Sequence, residues 1–245
     1  MRIELVRGRL RWAIPVASML LVACPSGSEK KGKTDSPVVA SSVEAPVPKT
    51  MRSVKSSAPA IAAGKATFAA TCVACHGKDG EGRIGMGPKL NSKTFLAAAS
   101  DDMLIRTISD GRAGTTMISW KASLKPAQVN EVVSYMRSWQ NVPAAKLNES
   151  PVKGNATAGG KMYFSVCSGC HGRTGAGYQE TANGTGIGRR AFLASVTTGY
   201  LRYVIRHGKS GTKMRPFAGK NKVAVANLSD AEIENVIAYL RDHAW

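Results

Sequence analysis

The chain has 245 residues, 43% of them hydrophobic and 6% aromatic, with a formal net charge of +18. That length holds one large domain or two small ones, and the apolar content excludes an intrinsically disordered chain. Five cysteines, four of them in two identical motifs, exclude a disulfide framework, and the charge favours acidic partners or anionic surfaces.

The first segment reads as an export signal. Arg2, Arg7, Arg9 and Arg11 precede an apolar stretch from Trp12 to Ala23, too short for an ordinary transmembrane span. Leu21-Val22-Ala23-Cys24 resembles a bacterial lipobox. The resemblance implies cleavage after residue 23, lipidation of Cys24 and anchoring of an exported protein to a membrane, in the periplasm or at the cell surface. Export also makes nucleic acid a poor partner. Residues 24–59 are rich in Ser, Lys, Pro and Val without helical period, which predicts a lipidated flexible tether reaching about 30–35 Å.

The remainder is a tandem repeat. Ala62 to Thr71 and Ala158 to Val166 are predicted helices leading into Cys72-Val73-Ala74-Cys75-His76 and Cys167-Ser168-Gly169-Cys170-His171. C-x-x-C-H reads as c-type haem attachment, in which both sulfurs add to haem vinyl groups and the histidine ligates iron. A thioredoxin-like site would need a βαβ pattern, and zinc would need four ligands packed together, whereas these two pentads lie far apart. Two covalent haems c are therefore expected.

Further along, Phe95-Leu96-Ala97 matches Phe192-Leu193-Ala194, and Gly111 to Met117 matches Gly208 to Met214, both at an offset of 97. Helices are predicted from Ser100 to Ser109 and from Thr198 to His207, with Ser100 and Thr198 as caps and Gly111 and Gly208 as stops. Final helices begin near Pro126 and Ser229, each with an apolar stripe ending in Tyr and Arg. Asn141 to Asn155, with Pro143 and Pro151, reads as the linker. The organisation is thus signal peptide 1–23, tether 24–59, first domain 60–142, linker 143–156 and second domain 157–245, with no convincing strand.

Iron needs a ligand opposite each histidine. Met117 and Met214 each end a Gly-x-x-Gly-Thr-x-Met loop and are the candidates, since a thioether raises the potential of a His-ligated iron. Met86, Met103, Met136 and Met162 read as core filler. His207 aligns with Asp110 and His243 lies near the chain end, so both read as surface residues.

With this set the chain resembles class I cytochromes c, in particular tandem dihaem forms such as cytochrome c4 and the cytochrome domains of cbb3-type oxidase subunits. The resemblance covers residues 60–245 and implies an all-α fold, two small helical bundles each around one covalent haem. Gly87-Pro88-Lys89-Leu90 fits the family's G-P-x-L segment, which implies a bond from the free ring nitrogen of His76 to the Pro88 carbonyl. The second repeat has Gly184-Thr185-Gly186-Ile187-Gly188 instead, leaving the partner of His171 open.

These readings converge on an electron carrier rather than an enzyme. The expected role is single-electron transfer between extracytoplasmic redox partners with acidic docking surfaces. Lys121, Lys125, Lys209, Lys213 and Arg215 are expected to ring the haem edges. The alternative is a haem-bearing subunit of a larger respiratory oxidase, reductase or dehydrogenase. A dihaem peroxidase would need a vacant haem face beside acid–base groups, and the sequence offers no distal His or Glu pair.

Overall fold

Small polar side chains start most of the helices. Ser57 caps α1 (Ala58–Thr71), and α2 (Val73–His76) follows directly after Cys72. Ser92 caps α3 (Lys93–Ala98) and Ser100 caps α4 (Asp101–Asp110), while α5 (Pro126–Ser138) starts on proline, which lacks the N–H that this position leaves unpaired. In the second repeat Asn155 caps α6 (Ala156–Met162), which continues through a π-helical turn (Tyr163–Cys167) into α7 (Ser168–His171). A 3₁₀ turn (Gly177–Gln179) and α8 (Arg190–Leu193) come next. Thr197, not Thr198, caps α9 (Thr198–His207), and Ser229 forms a reciprocal cap with Glu232 at the start of α10 (Asp230–Asp242).

The computed structural model describes residues 42–46, 50–219 and 226–245. Among them there is no strand, only an isolated bridge between Arg83 and Gly87, and no helix long and apolar enough to cross a membrane. The fold is all-helical, as expected. The predicted export signal, residues 1–23, and Cys24 lie outside the described residues.

In each repeat the first helix packs across the last, α1 on α5 and α6 on α10. Glycine makes both crossings close. A Cβ on Gly64 would collide with the Glu131 carbonyl, and one on Gly159 with the Asn235 carbonyl. Beside the first crossing Phe68 packs edge-on against Tyr135 and Trp139, with ring centroids 5.6 and 5.2 Å away. Its counterpart Tyr163 packs 5.2 Å from Tyr239, and its hydroxyl donates to the Gly172 carbonyl at 2.7 Å.

The arginines that end the apolar stripes have one job in both copies. Arg137 donates to the Leu96 and Ala99 carbonyls, both at 2.7 Å, and Arg241 donates to the Leu193 and Val196 carbonyls. Each guanidinium thereby satisfies chain carbonyls at and just beyond the end of a short helix, α3 or α8.

The flexible tether of 24–59 is corrected at its C-terminal end. Asp101, buried in the first turn of α4, accepts the Ser53 and Val54 N–H groups at 2.7 and 2.8 Å and pairs with Arg137. Arg52 reaches the Leu96 and Ala99 carbonyls. Val43 is buried, and its N–H donates to the Arg241 carbonyl at 2.9 Å. The segment before α1 is thus fastened to both repeats. The predicted linker makes a matching contact, because Arg202 binds the Asn148 and Ser150 carbonyls and Glu149 accepts from Thr197 and Gly199.

Ala at Gly64 or Gly159 should force the crossed helices apart and cost about 1–3 kcal/mol each. Ala at Gly169, where a Cβ meets nothing within 4 Å, is the control and should be close to neutral. Thermal unfolding followed by far-UV circular dichroism measures all three.

Candidate haem centres

His76 is buried at the end of α2, and its ring is held from behind. Nδ1 lies 3.0 Å from the Pro88 carbonyl oxygen. A carbonyl only accepts, so Nδ1 carries the proton and Nε2 is left with a bare lone pair. In the second repeat Nδ1 of His171 donates to the Thr185 carbonyl at 2.9 Å. Thr185 is therefore the partner that sequence reading left open. Burial pushes both imidazoles below the ordinary histidine range, against the raising effect of each carbonyl bond. At His76 the charge of Lys209 adds to the lowering. Both rings are thus neutral at pH 7, the form that ligates a metal.

The loop that supplies the carbonyl passes directly over the attachment helix. A Cβ on Gly87 or Gly184 would collide with the carbonyl of Cys75 or Cys170, so neither position tolerates a side chain. The four motif cysteines are free of disulfides. Burial raises Cys72, and it pushes Cys167 up to about 11, so both are thiols rather than thiolates. Among the described residues no three His, Cys, Asp or Glu side chains form a group that could hold a metal ion. A structural zinc site would need four converging ligands, which neither motif assembles among the described residues.

The two methionine loops fold identically. The Arg112 N–H donates to the Met117 carbonyl and the Lys209 N–H to the Met214 carbonyl, both at 2.8 Å. Inside each loop one threonine hydroxyl bridges. Thr115 Oγ1 donates to the Arg112 carbonyl at 2.8 Å and accepts the Met117 N–H at 3.1 Å. Thr212 does the same for Lys209 and Met214, at 2.7 and 3.1 Å. Gly114 and Gly211, both with φ +74°, turn the backbone where other residues would be strained. The loops also reach the histidine segments of their own repeats. Thr116 Oγ1 donates to the Met86 carbonyl, next to Gly87, and Lys213 Nζ donates to Asn183 Oδ1, next to Gly184.

Two sequence assignments change. Met103 and Met136 are core residues, but Met86 is 46% exposed on the rim beside the Met117 loop. Lys121, Lys125, Lys213 and Arg215 are exposed, whereas Lys209 turns inward and lies 4.7 Å from the Phe95 ring centroid in the other repeat. His207 and His243 are exposed, as expected.

These residues fit a covalent haem. Each repeat offers two thiols three residues apart on a helix and a neutral imidazole with Nε2 free. The seam between the repeats adds unbalanced positive charge that the two carboxylates of a haem could offset. Arg189 is buried there and Arg112 and Lys209 are half-buried, none with an ion pair among the described residues, and Arg189 Nε is buried with no hydrogen-bond partner. Burial, then Arg112 and Lys89, push Lys209 down to about 7.

The comparisons agree with this geometry. The family described as "Cytochrome C oxidase, cbb3-type, subunit III" matches residues 59–136 and 154–240. A cbb3-type cytochrome c oxidase subunit CcoP from Rubrivivax gelatinosus is 30% identical over 151 residues, covering 62% of this chain and 46% of the relative. Cytochrome c4 from Thiocapsa roseopersicina is 26% identical over 185 residues, covering 73% of this chain and 90% of the relative. Among solved structures, a Kuenenia stuttgartiensis reducing HAO-like protein complex aligns at a TM-score of 0.49 and 22% identity, over 83% of this chain and 100% of that one. The chain spans less than half the length of the oxidase-subunit relatives named first. Cytochrome c domains imply covalent haem c, and two matched segments point to two haems. The chain belongs to the cbb3-type cytochrome c oxidase subunit III family and is a dihaem c-type cytochrome related to CcoP and cytochrome c4.

Proposed function

We propose that this protein is a membrane-tethered cytochrome that passes single electrons between extracytoplasmic redox partners. The observation that carries the reading is the duplicated neutral imidazole, His76 and His171, each with its proton fixed on Nδ1 by a backbone carbonyl. Cys72 and Cys75, then Cys167 and Cys170, hold the two haems through thioethers. His76 and Met117 would ligate the first iron, and His171 and Met214 the second. Pro88 and Thr185 orient the rings. A bound haem supplies a one-electron Fe(III)/Fe(II) couple. The protein's own part is to fix the donors beforehand, so that little rearranges when charge changes. The threonine bridges within the Met loops support that rigidity. A histidine and a methionine for each iron would leave no position for substrate, which is why the protein is read as a carrier rather than an enzyme.

Lipidation of Cys24 gives the tether, and the strong positive charge that remains after loss of residues 1–23 favours acidic partners. Lys213 and Arg215, exposed on the second Met loop, suit that docking, with Lys121 and Lys125 beyond the first loop. Lys209 is withdrawn from this role. A second reading is favoured by the relatives named as oxidase subunits: the chain serves as the electron-transfer subunit of a larger respiratory complex. Co-purification in mild detergent with other respiratory subunits separates it from a free shuttle.

Three outcomes test the proposal. Replacing Cys24 by Ser should move the protein from the membrane fraction to the soluble exported fraction. Thr115→Val or Thr212→Val should loosen one Met loop and lower the potential of that haem, together with loss of its near-infrared Fe(III)–Met band; an unchanged titration would remove the threonine's role. Reversing Lys213 and Arg215 to Glu should slow oxidation by ferricyanide by roughly tenfold at low salt and flatten the ionic-strength dependence.

A further inference from the structure

The Met loop of each repeat is seated on the histidine-orienting segment of the other. In the first repeat that segment runs from Pro88, whose carbonyl holds His76, through Lys89 to Phe95 in α3. The second repeat's loop lies along it. Ser210 N donates to Thr94 Oγ1 at 2.8 Å, and the Ser210 and Ser92 hydroxyls are 3.1 Å apart. A Cβ on Gly211 would stand 3.1 Å from Lys89 Cε, and the Lys209 ammonium covers the Phe95 ring. Five residues beyond Lys209 is Met214.

The reverse contact has the same form. The second repeat's segment runs from Thr185, whose carbonyl holds His171, to Phe192 in α8. The first repeat's loop lies along that. The Arg112 guanidinium is 4.8 Å from the Phe192 ring centroid, Gln179 Nε2 donates to the Gly114 carbonyl at 3.0 Å, and Gly114 abuts Arg189. Arg112 and Lys209 are equivalent positions at the offset of 97, as are Phe95 and Phe192. The seam is therefore a pseudo-twofold exchange in which each repeat lends a cation to its neighbour.

A fixed positive charge near a haem disfavours Fe(III) relative to Fe(II), and it acts most strongly on the centre it stands beside with least water between. By chain position Lys209 belongs with Met214 and the second centre. By contact it belongs with the first, and its charge is felt at the His76 ring. We infer that Lys209 and Arg112 are cross-domain positioning residues, Lys209 raising the potential of the first repeat's haem and Arg112 that of the second. This inference rests on the haem-ligand reading above.

The test is a redox titration of the full-length, doubly haem-loaded protein at pH 6. Met117→His lowers the potential of the first repeat's haem and so identifies its wave. In an otherwise unaltered protein, Lys209→Met should then lower that same wave, raising the Fe(III)/Fe(II) ratio at fixed ambient potential by roughly three- to tenfold, and shift the other wave less. Lys209→Arg should restore it, and the radius of gyration from small-angle X-ray scattering should stay constant. Arg112→Met should give the mirror result. The inference is overturned if Lys209→Met moves only the second repeat's wave or neither. It is also overturned if the shift comes with an increase in radius, since Lys209 would then only hold the repeats together. A Met117→His protein in which both waves stay put would overturn the ligand reading, and the inference with it.

Discussion

One hydrogen bond sets the terms for each half of the molecule: a ring nitrogen of the motif histidine donating to a backbone carbonyl. It decides the tautomer, fixes the plane of the imidazole and leaves the other nitrogen free to bind metal. Around it the structure must bring a loop over the attachment helix closely enough for a carbonyl to reach the ring. That requirement accounts for glycine at Gly87 and Gly184, where any side chain would strike the carbonyl of the second motif cysteine. It also accounts for the burial of His76, which keeps the ring neutral without help from an acid. The helices serve this geometry. Crossing through Gly64 and Gly159 brings first and last helices together, and the aromatic side chains one turn before the cysteines fill the space between.

The repeat was legible in the sequence because its periodicities are local. Helix starts, the C-x-x-C-H pentads and the Gly-x-x-Gly-Thr-x-Met loops each depend on residues close together in the chain. The partner of His171 was not legible, for a physical reason. The acceptor is a main-chain oxygen, so its side chain is free to differ, and a search for proline misses it. The offset of 97 that pairs Met117 with Met214 also pairs Pro88 with Thr185, and that register was the available signal. The docking of Met51–Val54 was hidden differently. Its bonds come from backbone N–H groups to Asp101 and from Arg52 to distant carbonyls, contacts that leave no period in a Ser- and Pro-rich stretch. Met86 and Lys209 were misplaced because exposure depends on how two loops or two repeats meet, which composition does not record.

What duplication preserved and what it released can be separated by the same logic. Positions whose side chains hold the backbone are retained, Arg137 with Arg241 and Thr115 with Thr212, as are those where a side chain would block a helix crossing, Gly64 with Gly159. Positions where only the main chain contributes have drifted, Pro88 to Thr185 among them. The seam lies between these cases. Its cations and rings are kept in kind, Arg112 for Lys209 and Phe95 for Phe192, because a cation over an aromatic face tolerates either side chain provided the charge remains.

Drift at the solvent rim has made the two halves chemically different while their backbones stayed alike. On the first repeat the two loops joined by the Thr116–Met86 bond expose Ile84, Met86 and Ile118, at 78%, 46% and 60%. At the offset of 97 the second repeat has Thr181, Asn183 and Arg215, with Lys213 in place of Thr116 bonding Asn183. The first rim can gain from a partner only at contact, through apolar area that salt does not screen. The second acts over about a Debye length and weakens as ionic strength rises. The contrast lies in the loops themselves, because the first repeat also carries exposed Arg83, Lys121 and Lys125 around its apolar rim. Lys209, which the second repeat lends to the first, lies over the Phe95 ring, apart from the exposed Lys121 and Lys125 that the first repeat carries itself.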